Sequence, residues 1–317
     1  MRSNAATIVF DQPLRDPVPA PAEAFSIAWP RIAAMRATLR DTDGPRMAVI
    51  AVHSSGAVRE AVVSADRFLV IGRHTRCALM LDDPEVSLRH LVAHWSDEDG
   101  PTIRLWDLRT GQPFVTEDGL PSSSVVAEGV LFASLGRYQI LFVPLDAVAW
   151  ANDAEGAWAL LPHRRFASAR VASDRVRSID PNRDSTVTHT LPPIVFGAEP
   201  MTGSDGLSCG CATGRVVVEL PDGRTERWVS DEQLDRGLLF GRYDRCQLAL
   251  DGDDALSRVH LLVVRIEGRI WAIDTASTNG TRHNGIPFDA SALATSASLL
   301  LARRCVVHWA AEQRVAG

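Results

Sequence analysis

The chain has 317 residues, 46% of them hydrophobic, with 39 acidic and 33 basic side chains and a net charge of −6; that is room for about two domains with cores of their own, without the basic excess of a general nucleic-acid binder. Every basic residue is arginine, which excludes conventional Walker A loops, protein-kinase catalysis and Schiff-base chemistry, all of which need a lysine. Five cysteines, few and odd in number, make no disulfide framework, and no uncharged apolar run reaches the about 18 residues of a membrane span.

Taken in chain order, "MRSNAATIVFDQPLRDPVPAPAEAF" puts an acid and several prolines where a signal peptide needs a continuous apolar segment. A cytoplasmic, reducing location is the expectation. Residues 1–44 read as an N-terminal extension, in which "APAEAFSIAWPRIAAMRATLR" has the pattern of a short amphipathic helix broken near Pro30, docking on protein rather than membrane. From residue 45 the pattern changes to short strand-like runs. "GRHTRCALMLDDPEVSLRH" (72–90) reappears as "GRYDRCQLALDGDDALSRVH" (241–260), and the flanking segments are parallel as well. The chain is two copies of one unit, at 45–146 and 213–312, followed by a tail at 313–317.

Each copy reads as all-β. In the second, "GRVVVEL" and "CQLALD" are strand-like, and "HLLVVRIEGRIWAID" reads as two strands around a Glu267-Gly268 turn. Many short strands punctuated by Gly, Asp and Asn predict a sandwich or barrel. Cys77 and Cys246 share one repeat position and read as small buried hydrophobes of a core. Between the copies, residues 147–212 read as a flexible linker, except that "AVAWANDAEGAWALL" is too apolar for a free tether and suits packing on the first unit. Asp174, Asp180 and Asp184 dilute the linker's arginines, which argues against nucleic acid, and the C-x-C of Cys209 and Cys211 lacks the partners of a metal site.

The second copy carries Gly241-Arg242, then Ser257-Arg258-Val259-His260, then Asp274 followed by Ser277-Thr278-Asn279-Gly280-Thr281 and Asn284-Gly285. In that order and at those gaps these residues resemble the forkhead-associated (FHA) domain, over about 95 residues. The resemblance implies two eleven-stranded sandwiches, one of them binding phosphothreonine peptides through loops at one end. It assigns Arg242, Ser257, Arg258, Thr278, Asn279 and Asn284 to phosphopeptide binding, and Gly241, His260 and Gly280 to structural support. The chemistry agrees, since a phosphothreonine brings about −1.5 to −2 charge and three acceptor oxygens, and these residues offer a guanidinium fork, hydroxyl donors and an amide.

The first copy keeps Gly72-Arg73, Ser87 and His90 but has Leu88 at the position of Arg258, with Arg89 displaced by one. Thr110-Gly111-Gln112-Pro113 replaces Ser277-Thr278-Asn279-Gly280, and Asp118 replaces Asn284. It reads as a degenerate copy that folds, binds phosphothreonine weakly or not at all, and serves as an interaction surface or dimer contact. No paired-carboxylate site, nucleophile elbow or metal spacing occurs, and the acidic stretches 82–85 and 251–254 read as solvated turns rather than calcium loops. The expectation is therefore a non-enzymatic phosphothreonine-binding signalling adaptor acting downstream of a Ser/Thr protein kinase, with no catalytic residue, metal or cofactor. Its partner is a phosphothreonine-containing protein, with self-recognition open at Thr38, Thr186, Thr188 or Thr190. The alternative is a phosphate-independent docking scaffold that uses both sandwiches.

Overall fold

Alternating apolar residues separated by Gly, Asn and Asp turns give each repeat eleven strands. The structure, a computed structural model, describes residues 17–39, 44–98, 100–146, 151–162, 164–168, 175–179, 186–190, 212–250 and 253–312. After α1 (Pro21–Thr38) the first repeat comprises β1 (Arg46–His53), β2 (Val58–Ser64), β3 (Arg67–Gly72), β4 (Leu79–Met80), β5 (Leu91–Ser96), β6 (Thr102–Asp107), β7 (Phe114–Thr116), β8 (Pro121–Ser122), β9 (Ser124–Glu128), β10 (Leu131–Leu135) and β11 (Tyr138–Pro144). Then come α2 (Ala154–Ala159), β12 (Arg164–Ser168), β13 (Arg175–Ile179) and β14 (Thr186–Thr190). The second repeat comprises β15 (Ala212–Leu220), β16 (Gly223–Ser230), α3 (Asp231–Arg236), β17 (Leu238–Gly241), β18 (Leu248–Ala249), β19 (Leu261–Ile266), β20 (Arg269–Asp274), β21 (Thr281–His283), β22 (Ile286–Phe288), β23 (Ala290–Leu293), β24 (Ser296–Leu301) and β25 (Cys305–Ala311).

The two repeats are the same sandwich strand for strand. Sheet order β2-β1-β11-β10-β7-β8 in the first matches β16-β15-β25-β24-β21-β22 in the second, and β4-β3-β5-β6-β9 matches β18-β17-β19-β20-β23. Each pair of sheets encloses its own core, centred on Ile71, Leu91, Ile103, Phe114 and Ile140 in one and on Phe240, Leu261, Ala272, Leu301 and Val307 in the other. The Glu267-Gly268 hairpin stands as read, with φ +51 and +76 at its two turn residues, the left-handed pair that a two-residue hairpin needs.

Strand β1 is buried on both faces along Met47–Val52, so something must cover its outer side. The cover is α1, whose Phe25, Ala28 and Ile32 pack with Ile50, Phe132 and Leu141, joined by Ala157 of α2. Residues 151–161 of the apolar stretch after residue 147 thus pack on the first unit. The N-terminal helix is continuous and not broken: Pro30 lies inside it, exposed. A proline removes one intrahelical hydrogen bond, and here Pro30 and Ser26, four residues before it, are both exposed while the buried face carries on to Ile32. Within the span read as a linker, β12 also pairs with β9, and β13 and β14 continue that sheet. Residues 1–16, the tail 313–317, Cys209, Cys211, Asp174, Asp180 and Asp184 lie outside the described residues.

The sandwiches stack back to back. Along β3 and β5, Leu69, Ile71, Leu91 and Ala93 face the first core, while Val70 and Val92 face the other way with Trp106, Leu108 and Cys77. They pack there with Leu239, Cys246, Val259, Leu262, Val264 and Ile273 of the second repeat. Cys77 and Cys246 are therefore buried thiols of the surface between the repeats, not of either sandwich core, and burial pushes the Cys246 thiol up to about 12. The first repeat thus buries an outward apolar face against the second repeat of the same chain. Among the described helices none is long and apolar enough to cross a membrane.

Candidate functional site

Three loops at one end of the second sandwich bring the motif residues together. Arg242 follows β17, Ser257 and Arg258 precede β19, and Ser277–Gly280 link β20 to β21. The first two loops touch backbone to backbone: Arg242 N–H donates to the Ser257 carbonyl at 3.1 Å and Tyr243 N–H to that of Arg258 at 2.9 Å. Gly241 is what lets them approach, since a Cβ there would lie 2.3 Å from the Arg258 carbonyl oxygen. Gly72 plays the same part in the first repeat, 2.5 Å from the Leu88 oxygen.

His260, fully buried, joins the serine loop to the glycine loop. Its Nδ1 accepts from Ser257 N–H at 3.1 Å and its Nε2 lies 3.2 Å from the Gly280 carbonyl. Burial holds the ring below the ordinary imidazole range, against the opposing pull of Asp274. It is neutral, with the proton on Nε2 donating to Gly280. Asp274 organises the third loop: its carboxylate accepts from Ser277 N–H at 2.6 Å, Ser277 Oγ at 2.7 Å and Thr281 Oγ1 at 2.6 Å. Ser277 Oγ in turn accepts from Gly280 N–H at 2.9 Å. Of the three adjacent polar residues, Ser277 is thus turned inward and buried, and only Thr278 and Asn279 are exposed.

Two exposed residues and the buried Ser257 meet at this end. Thr278 N–H donates to Ser257 Oγ at 2.9 Å, and the two hydroxyls stand 3.4 Å apart. The Asn279 amide donates to the Ala255 carbonyl at 2.7 Å across the mouth, leaving one N–H and the side-chain carbonyl for another partner. Arg242 is half-committed. Its Nε donates to the Leu256 carbonyl at 2.7 Å, and Nη1 meets the Asp254 carboxylate at 3.1 Å, a fully exposed acid whose pairing is weak. Arg258 is exposed, and its guanidinium makes no hydrogen bond or ion pair among the described residues. Asn284 is not brought to the cluster by any hydrogen bond among the described residues; with φ +52 beside Gly285 at +80, it forms the β21–β22 turn. In all, Arg242, Ser257, Thr278 and Asn279 gather around the supports Gly241, His260 and Gly280.

The sequence profile of the FHA domain matches residues 238–299. The second repeat is an FHA domain. Part of the chain is similar to the FHA-1 domain of Mycobacterium tuberculosis Rv1747, at 18% identity and a TM-score of 0.27, covering 32% of this chain and 100% of that one. It is similar to a Synechocystis protein at 19% identity and a TM-score of 0.29, covering 32% and 99%. A third similar structure comes from work on phosphothreonine-dependent FHA domain interactions, at 25% identity and a TM-score of 0.26, covering 30% and 95%. No curated protein matches the sequence.

The first repeat keeps the FHA scaffold without the exposed groups. Ser87 N–H donates to His90 Nδ1 at 3.0 Å, and His90 Nε2 lies 2.7 Å from the Gln112 carbonyl. Thr110, at the place of Ser277, bonds Asp107 at 2.9 Å, but Gly111 stands where the FHA domain has Thr278, and Leu88, 41% exposed, where it has Arg258. The acidic stretch of this repeat is not wholly solvated. Asp83 is buried and its carboxylate accepts from Glu85 N–H and from the backbone and guanidinium of Arg137, so it ties a turn rather than facing water. Asp253 likewise caps Ala255 N–H at 2.9 Å, while residues 251 and 252 lie outside the described residues. No cluster of metal-ligating side chains occurs among the described residues. Sequence reasoning missed Asp274 as an organiser, although its spacing three before Ser277 was a usable turn signal. It also missed Arg76 and Arg89 of the first repeat, which reach the Ser277–Thr278 segment.

Proposed function

We propose that the chain is a phosphothreonine-reading adaptor that acts downstream of a Ser/Thr kinase through its second repeat. The observation that carries this reading is the convergence of the Thr278 hydroxyl, the Asn279 amide and the Arg242 guanidinium on one short loop, where they meet Ser257 Oγ at 3.4 Å, the Ala255 carbonyl, and the Leu256 carbonyl with the Asp254 carboxylate. Three neutral donors and a fork-shaped cation on rigid loop ends suit a tetrahedral dianion on an extended peptide. A phosphate would compete with the exposed Asp254 carboxylate for the Arg242 guanidinium. Arg258 adds a second cation, and Asn279 suits the peptide backbone. The role is binding rather than catalysis. Self-recognition at Thr38 would require opening the end of α1, where the Thr38 hydroxyl donates to the Met35 carbonyl at 2.7 Å; the side chains of Thr186, Thr188 and Thr190 lie outside the described residues.

The test is titration of the full chain with a pool of nonapeptides carrying a central phosphothreonine and with its threonine twin. The phosphorylated pool should bind and the twin should not. Arg242→Ala should cost roughly 2–5 kcal/mol of binding, at least about thirtyfold in affinity, because the phosphate loses its main partner. Equal binding of both pools would replace this reading with a phosphate-independent docking scaffold, which the protein-on-protein surface between the repeats favours.

A further inference from the structure

The loop that carries Thr278 and Asn279 is held from outside its own sandwich. Ala276 stands at φ +59, a left-handed conformation unfavourable for any residue with a Cβ. Its carbonyl accepts from Nε and Nη2 of Arg89, at 2.9 and 2.7 Å. The next two carbonyls, of Ser277 and Thr278, accept from Nη1 of Arg76 at 2.7 and 2.6 Å. Arg89 Nη2 also stands 3.5 Å from Thr278 Oγ1. Two guanidinium groups of the first repeat thus fix three consecutive carbonyls of the second repeat's loop.

The one-residue displacement of Arg89 has a structural meaning. Arg89 stands at the repeat position of Val259, which is buried between the repeats. Moving the arginine by one residue turns it from the open end of its own sandwich onto the loop of the neighbouring one. The support is lopsided. Among the described residues, Arg245, at the repeat position of Arg76, reaches back to the Arg109 carbonyl alone, at 3.5 Å, and Val259 has no side-chain donor to return.

We propose that the two repeats form one composite recognition site, in which Arg76 and Arg89 are positioning residues that hold the β20–β21 loop in its binding shape and add positive field beside Thr278. This rests on the second repeat being the phosphothreonine reader. A loop already held in its bound conformation spares the ordering cost of binding, and a guanidinium beside a phosphate-binding hydroxyl favours the dianion.

The experiment uses the full chain and the same two nonapeptide pools, with amide hydrogen exchange at Thr278 and Gly280 as a second readout. The Arg76→Ala/Arg89→Ala double variant should bind the phosphothreonine pool roughly tenfold more weakly and exchange faster at both amides, and Arg89→Lys should recover part of the affinity. Glu267→Ala is the control. It removes the 3.0 Å pair with Arg104 at the opposite end of the β19–β20 hairpin, loosening the same surface away from the loop, and affinity should stay within about twofold. Wild-type affinity and exchange in the double variant would overturn the proposal and leave the phosphothreonine reading intact. An equal loss in Glu267→Ala would show that docking in general matters and these arginines do not. Equal binding of both pools by the wild type would overturn the parent reading and this proposal with it.

Discussion

At Gly241 the Arg258 carbonyl oxygen lies 2.3 Å from where a Cβ would stand, and a backbone atom cannot swing aside as a flexible side chain can. Gly241→Ala should push the serine loop outward, costing about 1–3 kcal/mol of stability as overpacked sites do and weakening phosphopeptide binding more than that loss of stability explains; thermal melts and titration of one preparation separate the two. Asp254 is a different case, because its carboxylate competes for Arg242 at 3.1 Å from a fully exposed position. Asp254→Asn should tighten binding of the phosphorylated pool a few-fold, since it removes both the competitor and a like charge; unchanged or weaker binding would mean that the acid plays no part in the free site. Residue identities at this end of the sandwich were legible, because glycines, hydroxyls and an amide at fixed gaps mark loops. Their directions were not. Ser277 and Thr278 are chemically alike and adjacent, and only the Asp274 carboxylate, which captures one of them, decides that Ser277 turns in while Thr278 faces out.

Among the elements, strands were easier to foresee than what covers them. Hairpins announce themselves through pairs such as Glu267-Gly268, and alternation marks the core face of β3 and β5. Both faces of β1 are apolar, however, and sequence alone does not say that α1 lies on the outer one, because that depends on a contact between segments with no shared pattern. Pro30 was misleading for the same reason: local propensity ends a helix there, while burial of Phe25, Ala28 and Ile32 on one face outweighs it. Pro30→Ala should therefore stabilise the chain, by about 1–3 kcal/mol from helix propensity, read as a shift of the urea midpoint without a change in slope. Destabilisation would mean that the fixed φ of the proline matters more than the hydrogen bond it lacks.

For the whole molecule the decisive surface is the one between the repeats, which sequence reading left as two independent units on a tether. Its apolar residues lie on the sheet faces pointing away from each core and were hidden among strand positions that an isolated sandwich would give to solvent. His94 lies there, stacked on Phe68 at 4.5 Å, with Phe68 against Trp271 of the second repeat at 5.4 Å. Burial, and then Arg104, push the His94 ring down to about 3. A base held neutral in the folded state favours unfolding as acid is added, so this stability is present above the ordinary imidazole range and is lost as the pH falls from about 6.5 toward 3, at up to about 1.4 kcal/mol per unit. His94→Phe should flatten that limb of a stability-against-pH curve while keeping the ring stack; an unchanged limb would assign the acid sensitivity to the carboxylates. A specific protease site inserted after Gly206 should, once cut, give halves that still elute together in gel filtration, and separation would show the surface to be weaker than its burial implies. That surface also constrains what the first repeat can hold. Gly111, at φ +78, leaves a gap that the Arg245 guanidinium fills, 2.5 Å from where a Cβ would stand. A threonine there would strain the backbone and force the guanidinium off the Arg109 carbonyl. The positive φ at Gly111 and the guanidinium beside it mean that a phosphate-binding hydroxyl at this place would need a change of backbone as well as of side chain, so a second reading site in the first repeat is not one substitution away.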